Sequence, residues 1–308
     1  MISDKYNKRL CPSCSNSEII NKSKISSPEP SEKLNLLTNK NSWVSIFPKK
    51  SKSFFSYFRC KNCKIIYAPE HFTKKQLNNF YKKLAPNMDQ VPRKLLKKTQ
   101  YEYFKLLEKW SSLEGDYLEV GPDIGLFTQH CVLKGNFNHY WLFEPNNFVT
   151  PKLKSLFRNK NFTILPAIEK IDKVNKGLST VIIIHVLDHL LEPKNILRKL
   201  RAKMKPGGLI LIVTHDESSV MRKLLGWRWP AFCLQHPQLF NYKTTESILN
   251  DSGFNVLEQC KSKNYFEISF LIKNLLWVFG IKIQKLPRWL NCSVGLRLGN
   301  IITIASVI

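Results

Sequence analysis

Two cysteine pairs carry the clearest chemistry in this 308-residue sequence. Cys11 and Cys14 form one C-x-x-C motif, and Cys60 and Cys63 form another. Each motif places two thiolates on one turn, where both can bind a tetrahedral Zn²⁺ ion at about 2.3 Å, and two motifs complete a closed four-thiolate site. A redox-active pair is the alternative that this spacing leaves open. Because four thiolates leave no free coordination position, the sequence predicts a structural zinc ion.

Three further side chains are candidates for acid–base chemistry. Asp188 and His189 are adjacent and follow an apolar run, and His236 lies in the segment WRWPAFCLQHPQLF. Histidine titrates near neutrality, and a neighbouring carboxylate can orient its ring. Such a group can remove a proton from a hydroxyl or a carbon acid. We therefore predict catalytic roles for Asp188, His189 and His236, with a structural role for the histidines as the alternative.

A glycine-containing loop, Glu119-Val-Gly121-Pro-Asp123-Ile-Gly125, follows another apolar run, and Glu144 ends the next one. A glycine turn lets a cofactor approach the backbone, and the second carboxylate can accept hydrogen bonds from both ribose hydroxyls. Asp123 stands where a dinucleotide loop needs glycine. A carboxylate there repels a diphosphate and favours a cation, as in S-adenosylmethionine. The alternative role for Asp123 is to cap the following helix.

The elements that must position these residues begin near residue 116. Short apolar runs alternate with helical stretches at 126–133, 148–157 and 194–204; the runs are YLEV, YWLF, FTIL, TVIII and LILIV. Strands that alternate with helices predict a parallel sheet covered on both faces, with ligands bound beyond the carboxyl ends of its strands.

The remaining sequence suggests four parts. We predict a zinc-binding module with an insertion at 1–85, a linking amphipathic helix at 86–112, a cofactor-binding domain at 113–260, and a helix and closing strand at 261–308. Around the second cysteine pair, FFSYFRC and CKIIYAP are typical of short strands, whereas SNSEIINKSKISSPEPSEK predicts a surface loop.

Charge and hydropathy bear on partners and location. The net charge is +25, and residues 1–100 hold 21 Lys or Arg against 6 Asp or Glu. This excess suits an anionic partner such as nucleic acid, or it is a solvated surface. The polar start MISDKYNKRL predicts a cytoplasmic protein. The apolar stretch at 265–281 is interrupted by charges, so we expect a helix that packs on the core or lies on a membrane surface.

Several ordered motifs resemble the class I S-adenosylmethionine-dependent methyltransferases. The resemblance covers residues 116–259 and is carried by LEVGPDIGLF, WLFEPN, VIIIHVLDHLLEPKNILRKLRAKMKPGGLILIVTHD and HPQLFNYKTTESILNDSGFNVLE. The segments CPSC and RCKNCKIIYAPEHFTKKQLNNFY are similar to zinc-ribbon methyltransferases associated with sugar and surface-polysaccharide modification, including sugar C-methyltransferases. The implied fold is a Rossmann-like α/β sheet with a small N-terminal zinc ribbon. The loop GPDIG and the pair Asp188-His189 depart from the family's G-x-G-x-G and Glu-His.

The resemblance also implies roles for single residues. It places Glu119, Gly121 and Gly125 at the methionine end of the cofactor and Glu144 on the ribose. It places Ala167 near the adenine and His185 under the sulfonium. It places His236 on the substrate side of the pocket.

The predicted activity is transfer of a methyl group to oxygen or carbon of a small or glycosidic acceptor, such as a sugar, nucleotide-sugar or polysaccharide precursor. One alternative is an RNA methyltransferase whose basic zinc-ribbon region binds nucleic acid. The other is a non-catalytic binding scaffold, in which Asp123 marks a degenerate cofactor pocket.

Overall fold

The computed structural model describes residues 6–33, 53–82, 91–278, 280, 281, 283 and 285–308. Its strands, in chain order, are β1 (Asn7–Lys8), β2 (Ile19–Ile25), β3 (Tyr57–Cys60), β4 (Ile66–Tyr67), β5 (Glu70–His71), β6 (Glu114–Val120), β7 (Asn136–Phe143), β8 (Phe162–Leu165), β9 (Leu178–Ile184), β10 (Met204–His215), β11 (Gln238–Leu239), β12 (Phe254–Lys261), β13 (Asn264–Glu267), β14 (Ser293–Leu296) and β15 (Asn300–Val307). Its α-helices are α1 (Lys74–Lys82), α2 (Arg93–Trp110), α3 (Leu126–Lys134), α4 (Thr150–Lys154), α5 (Pro193–Arg201), α6 (Val220–Leu225), α7 (Tyr242–Asn250) and α8 (Ile268–Val278).

A seven-stranded sheet has the strand order β12-β15-β10-β9-β6-β7-β8. The strands β6 to β10 run parallel, and β15 is antiparallel to both of its neighbours. The predicted Rossmann-like α/β fold is therefore confirmed. Because β6, β7, β9 and β10 are parallel and adjacent, the loops that follow them meet at one edge of the sheet.

Both faces of this sheet are covered, since apolar side chains along each strand alternate between two cores. One core receives Leu118 and Val120 of β6 and packs against α5 and α7. The other core receives Tyr117 of the same strand and packs against α2 and α3. In α5, three buried apolar residues share one face while basic residues occupy the other, which is the pattern of a surface helix: Ile196, Leu197 and Leu200 against Arg198, Lys199 and Arg201.

The N-terminal module, which comprises residues 6–33 and 53–82, contains a sheet of order β11-β4-β3-β2. The strands β3 and β4 flank the second cysteine pair, as the sequence predicts. The expected surface loop is wrong for Ile19–Ile25, because these residues form β2 and pair with β3. The strand β11 comes from the second half of the chain, so this module and the central domain share a sheet. The predicted boundary at residue 85 lies outside the described residues.

The segment between β12 and β15 leaves the sheet at the same edge as the loops above, because His215 at the end of β10 pairs with Asn300 at the start of β15. The predicted helix and closing strand correspond to α8 and β15. The sequence did not predict the two-stranded antiparallel sheet that β13 and β14 form beside α2, with α8 between them in the chain. No helix in the part of the chain that the structure describes is both long and apolar enough to cross a membrane.

Candidate active site

A cavity of about 1450 Å³ opens at the carboxyl edge of the central sheet. The loops after β6, β7 and β9 line one side, and α1 and β1 of the N-terminal module line another. Most binding pockets for one small molecule have volumes of about 300–1,000 Å³. This cavity therefore has room for a cofactor and a second molecule.

Glu119 lies at the end of β6 and is almost fully buried, although it reaches the cavity wall. Its Oε2 atom accepts hydrogen bonds from the Tyr117 hydroxyl at 2.6 Å and from Thr128 Oγ1 at 2.5 Å. Burial raises the pKa of Glu119 to about 7, and these two hydrogen bonds offset only part of that effect. The contacts just described give the Glu119 carboxylate no charged partner, so a cation in the cavity could pair with it.

Glu144 lies one residue beyond β7 and also lines the cavity. The Asn146 N–H donates to its Oε1 atom at 2.8 Å, and the Asp123 N–H donates to its Oε2 atom at 3.0 Å. Burial raises the pKa of Glu144, while these backbone donors lower it. The two backbone bonds fix the carboxylate in place, and each oxygen keeps a second lone pair for a hydroxyl.

The two glycines of the loop have positive φ angles, 70° at Gly121 and 75° at Gly125. A Cβ atom at Gly121 would lie 2.6 Å from Val186 Cγ2, and one at Gly125 would lie 2.5 Å from Leu156 Cδ1. The loop therefore needs glycine for its backbone conformation and for close packing. Gly125 is the N-cap of α3, so the helix-capping alternative for Asp123 is wrong. Asp123 itself lines the cavity.

Tyr81, His189 and His236 form a hydrogen-bonded chain that starts in the cavity wall. His236 Nδ1 lies 2.7 Å from the Ala231 carbonyl oxygen, which can only accept, so this nitrogen carries a hydrogen. In the neutral ring Nε2 is then an acceptor, and it receives the Nε2–H of His189 at 3.1 Å. His189 Nδ1 in turn accepts from the Tyr81 hydroxyl at 2.9 Å. Burial, followed by the nearby His236, lowers the pKa of His189 to about 3, so its ring is neutral at physiological pH.

The adjacent positions of Asp188 and His189 in the sequence suggest that Asp188 orients His189, but in the structure it does not. Its fully buried carboxylate contacts His215 instead, with 2.6 Å between Oδ2 and the His215 Nδ1 atom. The reason is that Asp188 and His189 lie in a short 3₁₀ turn, Leu187–His189, where consecutive side chains point in different directions. Burial raises the pKa of Asp188, but the His215 ring outweighs burial and holds that pKa well below its usual range.

His185 directly follows β9, lines the cavity and has a φ of 52°. Its ring centroid lies 4.9 Å from that of His215. Burial and then the nearby His215 ring lower the pKa of His185 to about 3. Ala167 also lines the cavity, where it precedes the 3₁₀ helix Ile168–Lys173.

The N-terminal module holds the segment that contains His236. The strand β11 begins two residues after His236 and pairs with β4, in register Gln238 to Tyr67. The Tyr57 hydroxyl of β3 donates to the backbone carbonyls of Cys233 and His236. A bidentate contact joins Arg59 to the buried Glu217, with N–O distances of 3.0 and 3.1 Å. The position of His236 thus depends on the module.

The four paired cysteines converge. Cys11 Sγ lies 3.4 Å from Cys63 Sγ, and Cys14 Sγ lies 3.6 Å from Cys60 Sγ, with all four sulfur atoms within 4.8 Å of one another. Four ligands at about 2.3 Å from a tetrahedral zinc ion are separated by about 3.8 Å, so the spacing fits this ion.

The structure thus brings the predicted cofactor residues to one cavity. Three of the predicted catalytic and cofactor-binding residues, Gly125, Asp188 and His236, are not among the residues that line the cavity. Sequence reasoning missed Tyr81 as a contact of His189 and His215 as the contact of Asp188. The available signals were the aromatic end of FTKKQLNNFY and the position of His215 at the end of the strand next to β9.

A mixed sheet with this strand order, a glycine loop after β6 and an acidic residue after β7 define a class I S-adenosylmethionine-dependent methyltransferase. Residues 90–259, more than half of the chain, match the family described as the methyltransferase domain, and the chain belongs to this family. No curated protein matches the sequence.

Solved structures agree on the fold. One is a chain from the complex between the Haloferax volcanii Trm112 methyltransferase activator and a methyltransferase, with a TM-score of 0.51 and 10% identity over 69% of this chain and 92% of that one. Another is an S-adenosylmethionine-dependent methyltransferase from Leishmania major, with a TM-score of 0.50 and 10% identity over 75% of this chain and 82% of that one. At such identity the likeness shows a shared fold.

Proposed function

We propose that this methyltransferase acts on an oxygen or carbon atom of a small or glycosidic acceptor, such as a sugar, nucleotide-sugar or polysaccharide precursor. The observation that carries the proposal is the hydrogen-bonded chain from Tyr81 through His189 to His236, which begins in the wall of the cavity. We also propose a structural zinc ion on the four paired cysteines, on the strength of their sulfur spacing.

The cavity residues fit S-adenosylmethionine, whose sulfonium supplies an activated methyl group. Glu144 would accept the ribose hydroxyls, since its two oxygens are fixed by backbone donors and keep free lone pairs. Glu119 would face the cationic methionine end, and Ala167 the adenine. His185 would then lie beside the reacting centre. In this arrangement the protein binds and orients both reactants, which is the largest contribution it can make to an in-line transfer.

When a hydroxyl or a carbon acid is methylated, the acceptor must lose a proton. The hydrogen-bonded side chains Tyr81, His189 and His236 can accept this proton. The proton passes to the Tyr81 oxygen as Tyr81 gives its own proton to His189 Nδ1. His189 releases its Nε2 proton to His236 Nε2. The new charge rests on His236, whose Nδ1–H remains on the Ala231 carbonyl. One proton leaves the acceptor and one arrives at His236, and the methyl group takes its place on the acceptor.

The burial of the hydrogen-bonded side chains Tyr81, His189 and His236 favours a small acceptor over a folded RNA. Tyr81 belongs to α1, so the N-terminal module forms part of the wall that an acceptor must pass. His236 is only 2% exposed and communicates with the cavity through His189. A base inside a helical RNA would have to be extracted to reach this depth.

The test is methyl transfer from labelled S-adenosylmethionine to a panel of sugars, nucleotide-sugars and RNA. With the acceptor that is found, His236→Gln is expected to lower kcat by about 10²–10⁴-fold while S-adenosylhomocysteine binding stays unchanged. His139→Gln is the matched control, because His139 contacts Thr163 on the outer strands of the sheet. Methylation of RNA alone, or full activity in His236→Gln, would contradict the proposal.

A further inference from the structure

A buried carboxylate beside the cavity has an oxygen atom with no partner. Asp188 is 0% exposed, and its Oδ1 atom makes no hydrogen bond to any residue that the structure describes. The buried Nδ1 atom of His185 also has no partner within the described chain. Buried charges in proteins are ordinarily paired or bound to a metal, because an unpaired one is costly. Because Asp188 Oδ2 already contacts His215, the unpartnered Oδ1 atom and the His185 Nδ1 atom are the two positions that a bound cation would satisfy.

The residues around these atoms offer a ligand set. His185, Asp188 and His215 each present one ligand atom, and the three atoms lie within 4.8 Å of one another. His185 directly follows β9, His215 is the last residue of the adjacent strand β10, and Asp188 lies in the turn between His185 and α5. Two imidazoles and one carboxylate on one side of an ion leave open positions on the other side, which is a common arrangement for divalent transition metals.

A second combination, Asp188 with His189 and His236, has similar spacing, but its two histidine rings are already hydrogen-bonded. In that combination both nitrogens of each ring take part in the chain from Tyr81 to the Ala231 carbonyl. By contrast, the first combination contains both of the unpartnered atoms. The positive φ of His185 is a further sign of a constrained functional position, since such strain persists where surrounding structure enforces it.

We propose that His185, Asp188 and His215 bind a divalent transition-metal ion, separate from the ion on the cysteines. Ligands in adjacent positions around such an ion are about 3.0 Å apart. The Asp188 to His215 contact of 2.6 Å must therefore open by a few tenths of an ångström when the ion enters. Side-chain rotation of His215 allows this, because its side chain is 24% exposed.

The ion would lie next to the cavity, which His185 lines. Its open positions could then polarise a hydroxyl oxygen of the acceptor and make its proton easier to remove. This role depends on the proposed acceptor chemistry, whereas binding of the ion does not. Binding is therefore the property to test first.

The experiment uses the full chain, freed of metal by a chelator and titrated with Co²⁺. The cysteine site is expected to give a thiolate-to-cobalt charge-transfer band. The proposed site is expected to bind a second equivalent of Co²⁺ and to give a visible absorption change without that band. Equilibrium dialysis with metal analysis measures the stoichiometry, and thermal unfolding checks that the second equivalent stabilises the protein.

Asp188→Asn and His185→Gln are each expected to lose the second equivalent and keep the charge-transfer band. His139→Gln, a histidine outside the cluster, is expected to keep both. The second ligand variant protects the test if Asp188→Asn fails to fold, and far-UV circular dichroism reports folding in each protein. Saturation of the wild type at the thiolate site alone, or retention of the second equivalent by the folded variants, would overturn the proposal.

Discussion

Replacement of Glu119 by glutamine is expected to change how the stability of the protein depends on pH. Glu119 is buried at the end of β6, and its pKa is raised from 4.5 to about 7 by burial. The folded state therefore binds this proton more tightly than the unfolded state does. Between pH 4.5 and 7 the unfolded state carries fewer protons, so the free energy of unfolding falls as the pH rises.

The size of the effect follows from the shift. A difference between 4.5 and about 7 corresponds to about 3 kcal/mol, since each unit contributes about 1.4 kcal/mol. This contribution is fully present below pH 4.5 and is lost above pH 7. Glutamine keeps an oxygen for the Tyr117 and Thr128 hydroxyls but does not ionise. The stability of Glu119→Gln relative to wild type should therefore rise by about 2.5 kcal/mol between pH 5 and pH 8.5.

Urea unfolding of both proteins across this pH range measures the difference, and subtraction of the two curves removes the contribution of every other titrating group. Calorimetry with S-adenosylhomocysteine supplies a second readout, because ionised Glu119 should attract the cofactor's ammonium group. Affinity for the wild type should increase as the pH rises through 7, and affinity for the variant should not. Parallel pH curves for the two proteins would refute the assignment of an elevated pKa to Glu119.

Three further predictions concern the zinc site, the ribose contact and the glycine loop. Cys11→Ser should lower zinc content and turnover, as metal analysis and methyl-transfer assays can show, whereas serine at the exposed Cys292 should leave both unchanged. Glu144→Ala should weaken S-adenosylhomocysteine binding by about 10–100-fold in calorimetry, because bonds to a charged acceptor contribute about 1.5–3 kcal/mol, and an unaltered affinity would exclude the ribose contact. Gly125→Ala should reduce the free energy of unfolding by about 1–3 kcal/mol more than Gly177→Ala. Both glycines have a positive φ, but of these two positions a Cβ atom would meet other atoms only at Gly125, so equal losses of stability would contradict this prediction.

The fold was predictable because its strands and helices carry local patterns. The strands β6 to β10 of the central sheet each contain a short apolar run, and the loops after β6 and β7 contain glycine or an acidic residue within a few positions of the run. Local pattern also explains why the sequence wrongly predicts a surface loop at Ile19–Ile25 in the N-terminal module. The segment around Ile19–Ile25 is rich in lysine, serine and asparagine, and it forms a strand only because β3 offers a neighbouring edge. Tertiary pairing overrides weak propensity in such edge strands.

The site was less predictable because its contacts join distant parts of the chain. Asp188 and His189 are neighbours in the sequence, yet one contacts His215 and the other contacts Tyr81. Adjacent residues in a tight turn diverge, so sequence proximity misassigned the carboxylate. The partners are separated by 27 and 108 residues, respectively. Nothing in the local pattern around any of them specifies these pairings.

The same long-range pairing gives the proposed zinc ion a functional consequence. The strand β11 starts two residues after His236 and is held by β4, which lies next to the second cysteine pair. The Tyr57 hydroxyl fixes the His236 backbone from β3, while the contacts described above for Glu119 and Glu144 all lie within the central domain. Loss of the ion should loosen the module and displace His236 while the cofactor residues stay in place. Zinc removal should therefore lower turnover much more than cofactor affinity.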